Sequence, residues 1–580
     1  MLKTLLAEVK QYKKPSILAP VFMVGEVVME IAIPMMMAQL IDNGVDKGDF
    51  RAVCMIGAVM AAMAFVSLAC GVLSGKYAAL ASSGFAHNLR QAMFRNIQTF
   101  SFANLDKYST AGLVTRMTTD VTNVQNAYQM ILRMCIRAPL MLVCAMAAAM
   151  FISLRMSMIF VAALLLLGVA LFYITTHAHP LFDQVFRRYD DLNASVQENV
   201  SAIRVVKAYV REGHETEKFH TANNNVYRLF VGAEKLITLN APVMQFTMYG
   251  CILAISWLGA HMISAGSLTT GNLMSLFTYV MNILMSLMML SMIFVMLTMS
   301  RASAGRIAEV LEERADLVSP AAAKDTVADG SIDLDHVSFA YGEGKAVLRD
   351  IDLHIRSGET IGIIGGTGSA KTSLVQLIPR LYDVTEGAVR VGGRDVREYD
   401  LDALRGAVAM VLQKNVLFSG TIKENLRWGD KNATDEELVH ACKLAQADEF
   451  IQTLPEGYDT YIEQGGTNVS GGQKQRLCIA RALVKKPKIL ILDDSTSAVD
   501  TRTDALIRDA FVKELPETTK LIIAQRISSV QAADKILVLD EGKIAAFGTH
   551  DELLKTSEIY RDVYESQQKG ADDDAATGRA

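Results

Sequence analysis

The chain has 580 residues, is 51% hydrophobic and carries a formal net charge of −5. That length points to more than one domain, and the acidic balance gives no reason to expect nucleic acid as a partner. The seven cysteines are scattered without a C-x-x-C pair or metal-ligand spacing, so neither a disulfide framework nor an oxidising compartment is indicated.

Apolar residues are concentrated in the first half of the chain. A membrane helix needs about 20 mostly apolar residues, and the candidate spans are Ser16–Ile41, Val53–Ser74, Ala138–Leu154, Ser157–Thr176, Thr238–Ile263 and Gly271–Thr298. The N-terminus carries Lys3, Lys10, Lys13 and Lys14 but no small-residue cleavage site after a short apolar core. The first run therefore reads as a retained span and not a signal peptide. The gaps between spans alternate short and long. Lys47, Arg51 and Arg155 are the basic residues of the short ones; the long ones, 76–137 and 177–237, hold many, among them Arg90, Arg116, Arg137, Arg187, Arg204 and Lys218. Positive charge marks the cytoplasmic side, which places both termini and both long gaps in the cytosol. The long gaps lack glycine–proline clusters and read as helices running on beyond the bilayer.

Two features of the spans suggest polar or binding surfaces. Glu26 and Glu30 lie inside the first span at i, i+4 spacing, hence on one helix face. Intramembrane carboxylates face a cavity or a partner, so the pair is either a site for cations or protons or a polar contact between helices. In the sixth span Met281, Met285, Met288, Met292, Met296 and Met299 recur at steps of three and four. Such a methionine stripe suits a promiscuous apolar binding surface, helix packing or a lipid face.

After Thr298 the helix continues through Arg306–Glu313, so 1–314 forms the membrane domain. Residues 315–330, rich in alanine and small polar groups, read as a linker. From Ser331 short apolar strands such as Ile361–Ile364 and Ile489–Leu492 alternate with helical stretches, which indicates a parallel α/β sheet over 331–569. The remainder, 570–580, with Asp572–Asp574, is expected to be a disordered acidic tail.

The strand Thr360–Ile364 runs into Gly365-Gly366-Thr367-Gly368-Ser369-Ala370-Lys371-Thr372 and then a helix. A glycine-rich turn in that context points backbone N–H groups at phosphates. Lys371 is placed to reach the β- and γ-phosphates of ATP, and the Thr372 hydroxyl to bind Mg²⁺. Asp493, which ends the apolar strand Ile489–Leu492, is the expected completion of the Mg²⁺ site. Between these elements lies Ser470-Gly471-Gly472-Gln473. This string resembles the signature motif of ATP-binding cassette (ABC) proteins, and the surrounding residues agree. Tyr341 resembles the aromatic that stacks on adenine. Gln413 resembles the glutamine that senses Mg²⁺ and the membrane domain. Glu463 in Glu463-Gln464-Gly465-Gly466 resembles an exporter-specific loop, and Ser497-Ala498-Val499-Asp500 resembles the loop that crosses the dimer interface. In the membrane half, Thr110-Ala111-Gly112 with Arg116 and Asp120, and Ala202–Tyr209, resemble the two cytosolic loops of exporters. The resemblance covers nearly the whole chain. It implies an all-α six-helix transmembrane domain followed by an α/β P-loop nucleotide-binding domain, embedded in a bilayer.

Three positions depart from that pattern. Ala370 stands where the phosphate loop has its last glycine. Asp494 stands where the family has the glutamate that polarises the attacking water. Gln525 stands where it has a histidine near the γ-phosphate. A neutral amide hydrogen-bonds but does not shuttle a proton. All three fall on the phosphate-loop side of one site, while the signature Ser470–Gln473 is intact. In this family each site combines the phosphate loop of one subunit with the signature of the other. The combination here resembles the degenerate-site subunit of bacterial heterodimeric multidrug exporters. It implies a plasma-membrane protein paired with a second half-transporter, binding ATP and exporting amphipathic compounds. Export of a lipid, peptide or siderophore, or an ATP-gated regulatory role without pumping, are the competing readings.

Overall fold

The computed structural model describes residues 1–342, 344–495 and 498–577; the side chains of His179, Asp183, Phe186, Val295, Met299 and the residues after Gln568 are outside the described set, as is Ser497 of the motifs above. The chain folds as two compact units, Met1–Gln98 with Thr110–Glu313, and Thr99–Ser109 with the chain from Arg314 onward.

The first unit contains six helices long and apolar enough to cross a membrane: α1 (Lys10–Val45), α2 (Phe50–Ile97), α3 (Thr110–Ile152), α4 (Leu154–Ser201), α5 (Glu212–Ser264) and α6 (Thr270–Glu312). Five contain an expected span whole, the third, Ala138–Leu154, overruns the end of α3 at Ile152 because Ser153 caps α4, and α2, α4 and α5 run far past the apolar stretch. Each short connection ends in a residue that caps the next helix. Asp49 accepts from Arg51 N and Ala52 N, Ser153 from Met156 N, and Thr269 from Asn272 N. Such caps satisfy orphan N–H groups that water would otherwise serve.

Buried residues of α1, α3, α4, α5 and α6 form one core, including Met23, Val27, Met141, Phe160, Ile255, Leu276 and Tyr279. Helix α6 crosses α1 closely: a Cβ on Gly271 would lie 2.3 Å from the Ala38 carbonyl oxygen. Along the same contact Tyr279 Oη donates to Ile31 O at 2.9 Å and Ser275 Oγ to Pro34 O at 2.5 Å. Small residues and hydroxyl-to-carbonyl bonds are what hold helices together where water provides no hydrophobic drive. Asp120, fully buried, is paired with the Arg306 guanidinium, whose Nε donates at 2.7 Å. Arg116 donates to the Arg306 carbonyl at 3.0 Å.

Glu26 and Glu30 meet one arginine. Arg137 Nη1 lies 2.5 Å from Glu26 Oε1 and Nη2 lies 2.7 Å from Glu30 Oε2. The geometry is that of a polar contact between α1 and α3. Met281, Met285, Met288 and Met292 are exposed, on the side of α6 away from buried Leu276, Tyr279 and Ile283, so they do not serve packing within the chain.

In the second unit the strands are β1 (Ile332–Phe339), β2 (Leu348–Ile355), β3 (Thr360–Gly365), β4 (Glu386–Val391), β5 (Arg394–Asp395), β6 (Val408–Val411), β7 (Gly420–Thr421), β8 (Tyr461–Ile462), β9 (Ile489–Asp493), β10 (Thr519–Ile523), β11 (Lys535–Asp540) and β12 (Lys543–Gly548). The main sheet has the order β12-β11-β3-β10-β9-β6, parallel except for β12. Strands β9 and β10 are buried at every position, as expected of a parallel sheet covered on both faces. A second, antiparallel sheet has the order β2-β1-β4-β5.

The segment read as a linker is not free. Val327 joins the core beneath the sheets, Lys324 N donates to Glu398 O at 3.0 Å, and Asp400 N donates to Lys324 O at 2.8 Å. The last helix is assigned from Glu558 to Thr577 and so enters the expected tail, whose side chains lie outside the described residues.

Candidate nucleotide site

Four adjacent strands, β3, β10, β9 and β6, end at the same edge of the sheet. Their C-terminal ends carry, in order, the loop Gly365–Thr372, Gln525, Asp493 with Asp494, and Gln413. The carboxyl edge of a parallel sheet is where this architecture places its ligands. Residues far apart in sequence thus converge because their strands are neighbours.

The loop leads into α7 (Lys371–Leu377). Lys371 Nζ donates to Gly365 O (2.9 Å), Gly366 O (2.8 Å) and Ser369 Oγ (3.3 Å). The ammonium is therefore held over the turn whose backbone would cradle phosphate, and its burial lowers its pKa from the usual lysine value. Ala370 precedes the helix in the left-handed region, φ 68° and ψ 25°. The backbone supplies a reason for glycine at this position, since only glycine adopts this conformation without steric penalty.

Thr372 Oγ1 donates to Asp493 Oδ2 at 2.8 Å. Asp493 is 2% exposed. Burial raises its pKa and the adjacent Asp494 adds to the rise, while the Thr372 hydroxyl and Lys371 oppose it. A buried carboxylate beside a second carboxylate favours a cation. A hydroxyl and a carboxylate oxygen together are the hard donors Mg²⁺ takes when phosphate supplies the rest, so the residues present fit that ion.

The pKa of Asp494 is raised by burial, against the effect of hydrogen bonds from Gln525 and Gln413. Gln525 Nε2 donates to Asp494 Oδ2 at 2.8 Å. Gln525 and Gln413 thus meet at the Asp494 carboxylate. Tyr341 is 40% exposed. Its hydroxyl lies 2.8 Å from Ser373 Oγ, on the first turn of α7, and its ring packs edge-on against Tyr382 at 5.2 Å.

The signature lies elsewhere in the unit, at the start of α8 (Gly471–Val484). Ser470 and Gln473 form a capping box: Ser470 N donates to Gln473 Oε1 at 2.9 Å, and Gln473 N to Ser470 Oγ at 3.3 Å. A Cβ on Gly472 would meet the Ala498 carbonyl oxygen at 2.9 Å, so the helix start packs on the loop after β9. Glu463 is tied within its own loop, where Thr467 Oγ1 donates to it at 2.8 Å. Sequence reasoning missed Tyr382 and Ser373, which hold Tyr341, because a lone tyrosine or serine carries no spacing signal.

Residues 16–319 match the ABC transporter transmembrane region and residues 348–497 match the ABC transporter domain. The chain belongs to the ABC transporter family. It is 39% identical to the uncharacterized ABC transporter ATP-binding protein YfiB of Bacillus subtilis (strain 168), over 97% of this chain and 98% of that one. It is 33% identical to the fatty acid ABC transporter ATP-binding/permease protein of Mycobacterium bovis over 81% of this chain and 75% of that one. With the multidrug efflux ATP-binding/permease protein Rv0194 of Mycobacterium tuberculosis it shares 32% identity over 94% of this chain and 46% of that one. A bacterial Atm1-family ABC exporter solved with ATP bound superimposes with a TM-score of 0.82 at 24% identity, covering 96% of this chain and 99% of the other. This ABC chain thus has the exporter fold: six apolar helices, then an α/β ATP-binding domain.

Proposed function

We propose that this ABC half-transporter binds ATP with Mg²⁺ at its own phosphate-loop site, turns it over slowly there, and pairs with a different half-transporter whose competent site its signature completes. The observation that carries the reading is the Gln525–Asp494 hydrogen bond. Tyr341 would stack on adenine, Gly365–Lys371 would hold the phosphates, and Thr372, Asp493 and Gln413 would face the metal, which when bound neutralises phosphate charge. These groups bind. The group that must organise the attacking water is an aspartate, one methylene short of glutamate, and Gln525 already occupies one of its oxygens. Glutamine at that position supplies neither charge nor a transferable proton. A displacement of about 1 Å at a reacting centre lowers a rate on the order of 10²-fold, so binding energy persists while transition-state stabilisation falls.

Pairing is supported by surface that the chain does not cover. Beside the short helix Ile203–Ala208, Val205, Tyr209 and Val210 are exposed by 57%, 75% and 80%. The exposed methionines of α6 suit a flexible apolar surface for amphipathic compounds. Multidrug-type substrates are the first reading. A lipid-like cargo is the second, favoured by the relative named for fatty acids. The basic residues of the long gaps support a cytosolic nucleotide domain and cytosolic termini, and the bacterial relatives favour a bacterial plasma membrane.

The test is to purify the full-length chain alone and with its co-expressed partner, and to measure oligomeric state, ATP binding and transport in liposomes. The chain alone should bind ATP and hydrolyse it about 10²-fold more slowly than the pair. A stable homodimer that transports as fast as the paired complex would refute the proposal.

A further inference from the structure

We propose that the nucleotide domain holds a second binding site, a cavity between strands β3 and β10 and helix α9 (Thr501–Glu514) in which Lys520 receives the carboxylate of a small apolar acid. Lys520, near the start of β10, lies in register with Thr360 at the start of β3. Side chains two apart on a strand share a face, so Lys520 and Ile522 both turn towards α9. The cavity measures about 220 Å³. Buried Phe511 and Ile522 line it inside, and exposed Val512 and Ala532 mark where it opens. It lies at the opposite end of these strands from the phosphate loop and Gln525, so it is separate from the nucleotide site.

Lys520 is 2% exposed. Among the described residues its ammonium has neither a hydrogen bond nor an ion pair. The charge that acts on it, Asp534, is exposed and accepts from Thr360 N at 2.8 Å, so water screens its effect. The other charges at the cavity are matched: Arg508 Nη2 lies 3.2 Å from Asp504 Oδ2, and Asp509 Oδ2 lies 3.0 Å from Lys513 Nζ. Burying an ammonium without a partner is costly, and burial lowers the Lys520 pKa. An anion in the cavity would supply the missing partner through a charge-assisted bond. The Thr360 hydroxyl, without a partner among the described residues, stands beside it as a second donor. The apolar walls select the rest of the ligand. An apolar cavity of about 150 Å³ takes a benzene ring, so this one admits a ring or short branched chain bearing a carboxylate. A few polar groups in an otherwise apolar pocket are the usual make-up of a small-molecule site. An inorganic anion gains nothing from such walls.

Titration calorimetry on the full-length protein in lipid nanodiscs tests this, with sodium benzoate as the probe at constant ionic strength. Benzoate should bind one per chain with a Kd of about 1 mM or tighter. Benzamide, of the same shape but neutral, should bind about tenfold or more weakly, as should inorganic phosphate, which lacks the apolar body. Lys520→Met removes a buried charge at nearly constant volume, so the fold should be kept; it should weaken benzoate about tenfold or more and leave ATP binding unchanged. Val512→Trp, at an exposed position, blocks the opening with Lys520 in place and carries the test should Lys520→Met fold poorly. Benzoate held equally by the parent and both variants overturns the proposal, as does a parent that binds none. Displacement of benzoate by Mg-ATP would place it in the nucleotide site and overturn it too. Phosphate bound as tightly as benzoate would make this a bare anion site and overturn the assigned class.

Discussion

Gln525 Nε2 and Asp494 Oδ2 are hydrogen-bonded at 2.8 Å across the ends of the neighbouring strands β10 and β9. The bond makes the two departures from the family pattern one unit, because restoring either residue alone leaves the other unsuited to it. Asp494→Glu alone should change hydrolysis little, since the amide persists. Asp494→Glu with Gln525→His should raise turnover at this site by about tenfold or more, part of the roughly 10²-fold attributed to misplacement. Steady-state ATPase is measured in the paired complex with the partner's own base removed. A triple variant including Ala370→Gly that stays as slow as the parent would show that the defect lies elsewhere.

Ala370 offers a stability test independent of catalysis. A non-glycine residue in the left-handed region costs about 1–2 kcal/mol, and Ala370 sits there at φ 68°. Its methyl is partly buried against the core under the sheets, worth less than the roughly 0.8 kcal/mol of a fully buried methylene. The backbone strain outweighs the packing of the methyl, so Ala370→Gly should stabilise the nucleotide domain by about 0.5–1 kcal/mol. Differential scanning calorimetry should show its transition about 2 °C higher. A fall would mean that packing of the methyl dominates.

How much of this was legible in the sequence depended on whether a signal was local. The phosphate loop, Asp493 and the signature each lie within a few consecutive residues, and the strands around them read as apolar runs. The short gaps of the membrane half were legible as interruptions between apolar runs, whereas the caps Asp49, Ser153 and Thr269 came from the structure. What could not be read was pairing at a distance. Glu26 and Glu30 were visible on one face of α1, but Arg137, 107 positions beyond Glu30, has no sequence mark as their partner. The linker's attachment to β-sheet neighbours through Lys324, and the packing of Tyr382 against Tyr341, likewise depend on tertiary packing alone. Ala370 was visible as a departure, but its reason, a left-handed backbone, is a property of conformation and not of composition.

The two sides of the nucleotide domain should separate by mutation. Lys371→Ala acts on the slow site and should leave most of the paired complex's turnover. A change in the signature acts on the partner's site and should remove about 10²-fold or more, the scale of losing a transition-state contact. Gly471 is the cleaner probe. A Cβ there meets only the Ala498 Cβ at 3.6 Å, ordinary contact, whereas one on Gly472 would strike the Ala498 carbonyl oxygen at 2.9 Å. Ser470→Ala also removes a helix cap worth about 1 kcal/mol. ATPase rates of Lys371→Ala and Gly471→Ala in otherwise identical complexes decide the matter; equal losses would contradict the assignment.

Arg137 holds two carboxylates of α1 from one position on α3, with side chains 24% exposed for the arginine, 16% for Glu26 and 35% for Glu30. Breaking a buried ion pair from one side costs about 3–5 kcal/mol because an uncompensated charge remains, and partial exposure puts this cluster at the lower end. Replacing all members by neutral groups of similar size removes the charge as well as the bond, so it costs far less. Arg137→Met should therefore lower the unfolding temperature of the detergent-solubilised chain markedly, and Arg137→Met with Glu26→Gln and Glu30→Gln should restore most of the loss. The same comparison separates the two readings of the acidic pair. If Glu26→Gln and Glu30→Gln in the presence of Arg137 leave stability unchanged and abolish export of a cationic dye such as ethidium, the carboxylates serve the cargo. If instead these variants lose stability and Arg137→Met loses more, the cluster is a contact that holds α1 against α3.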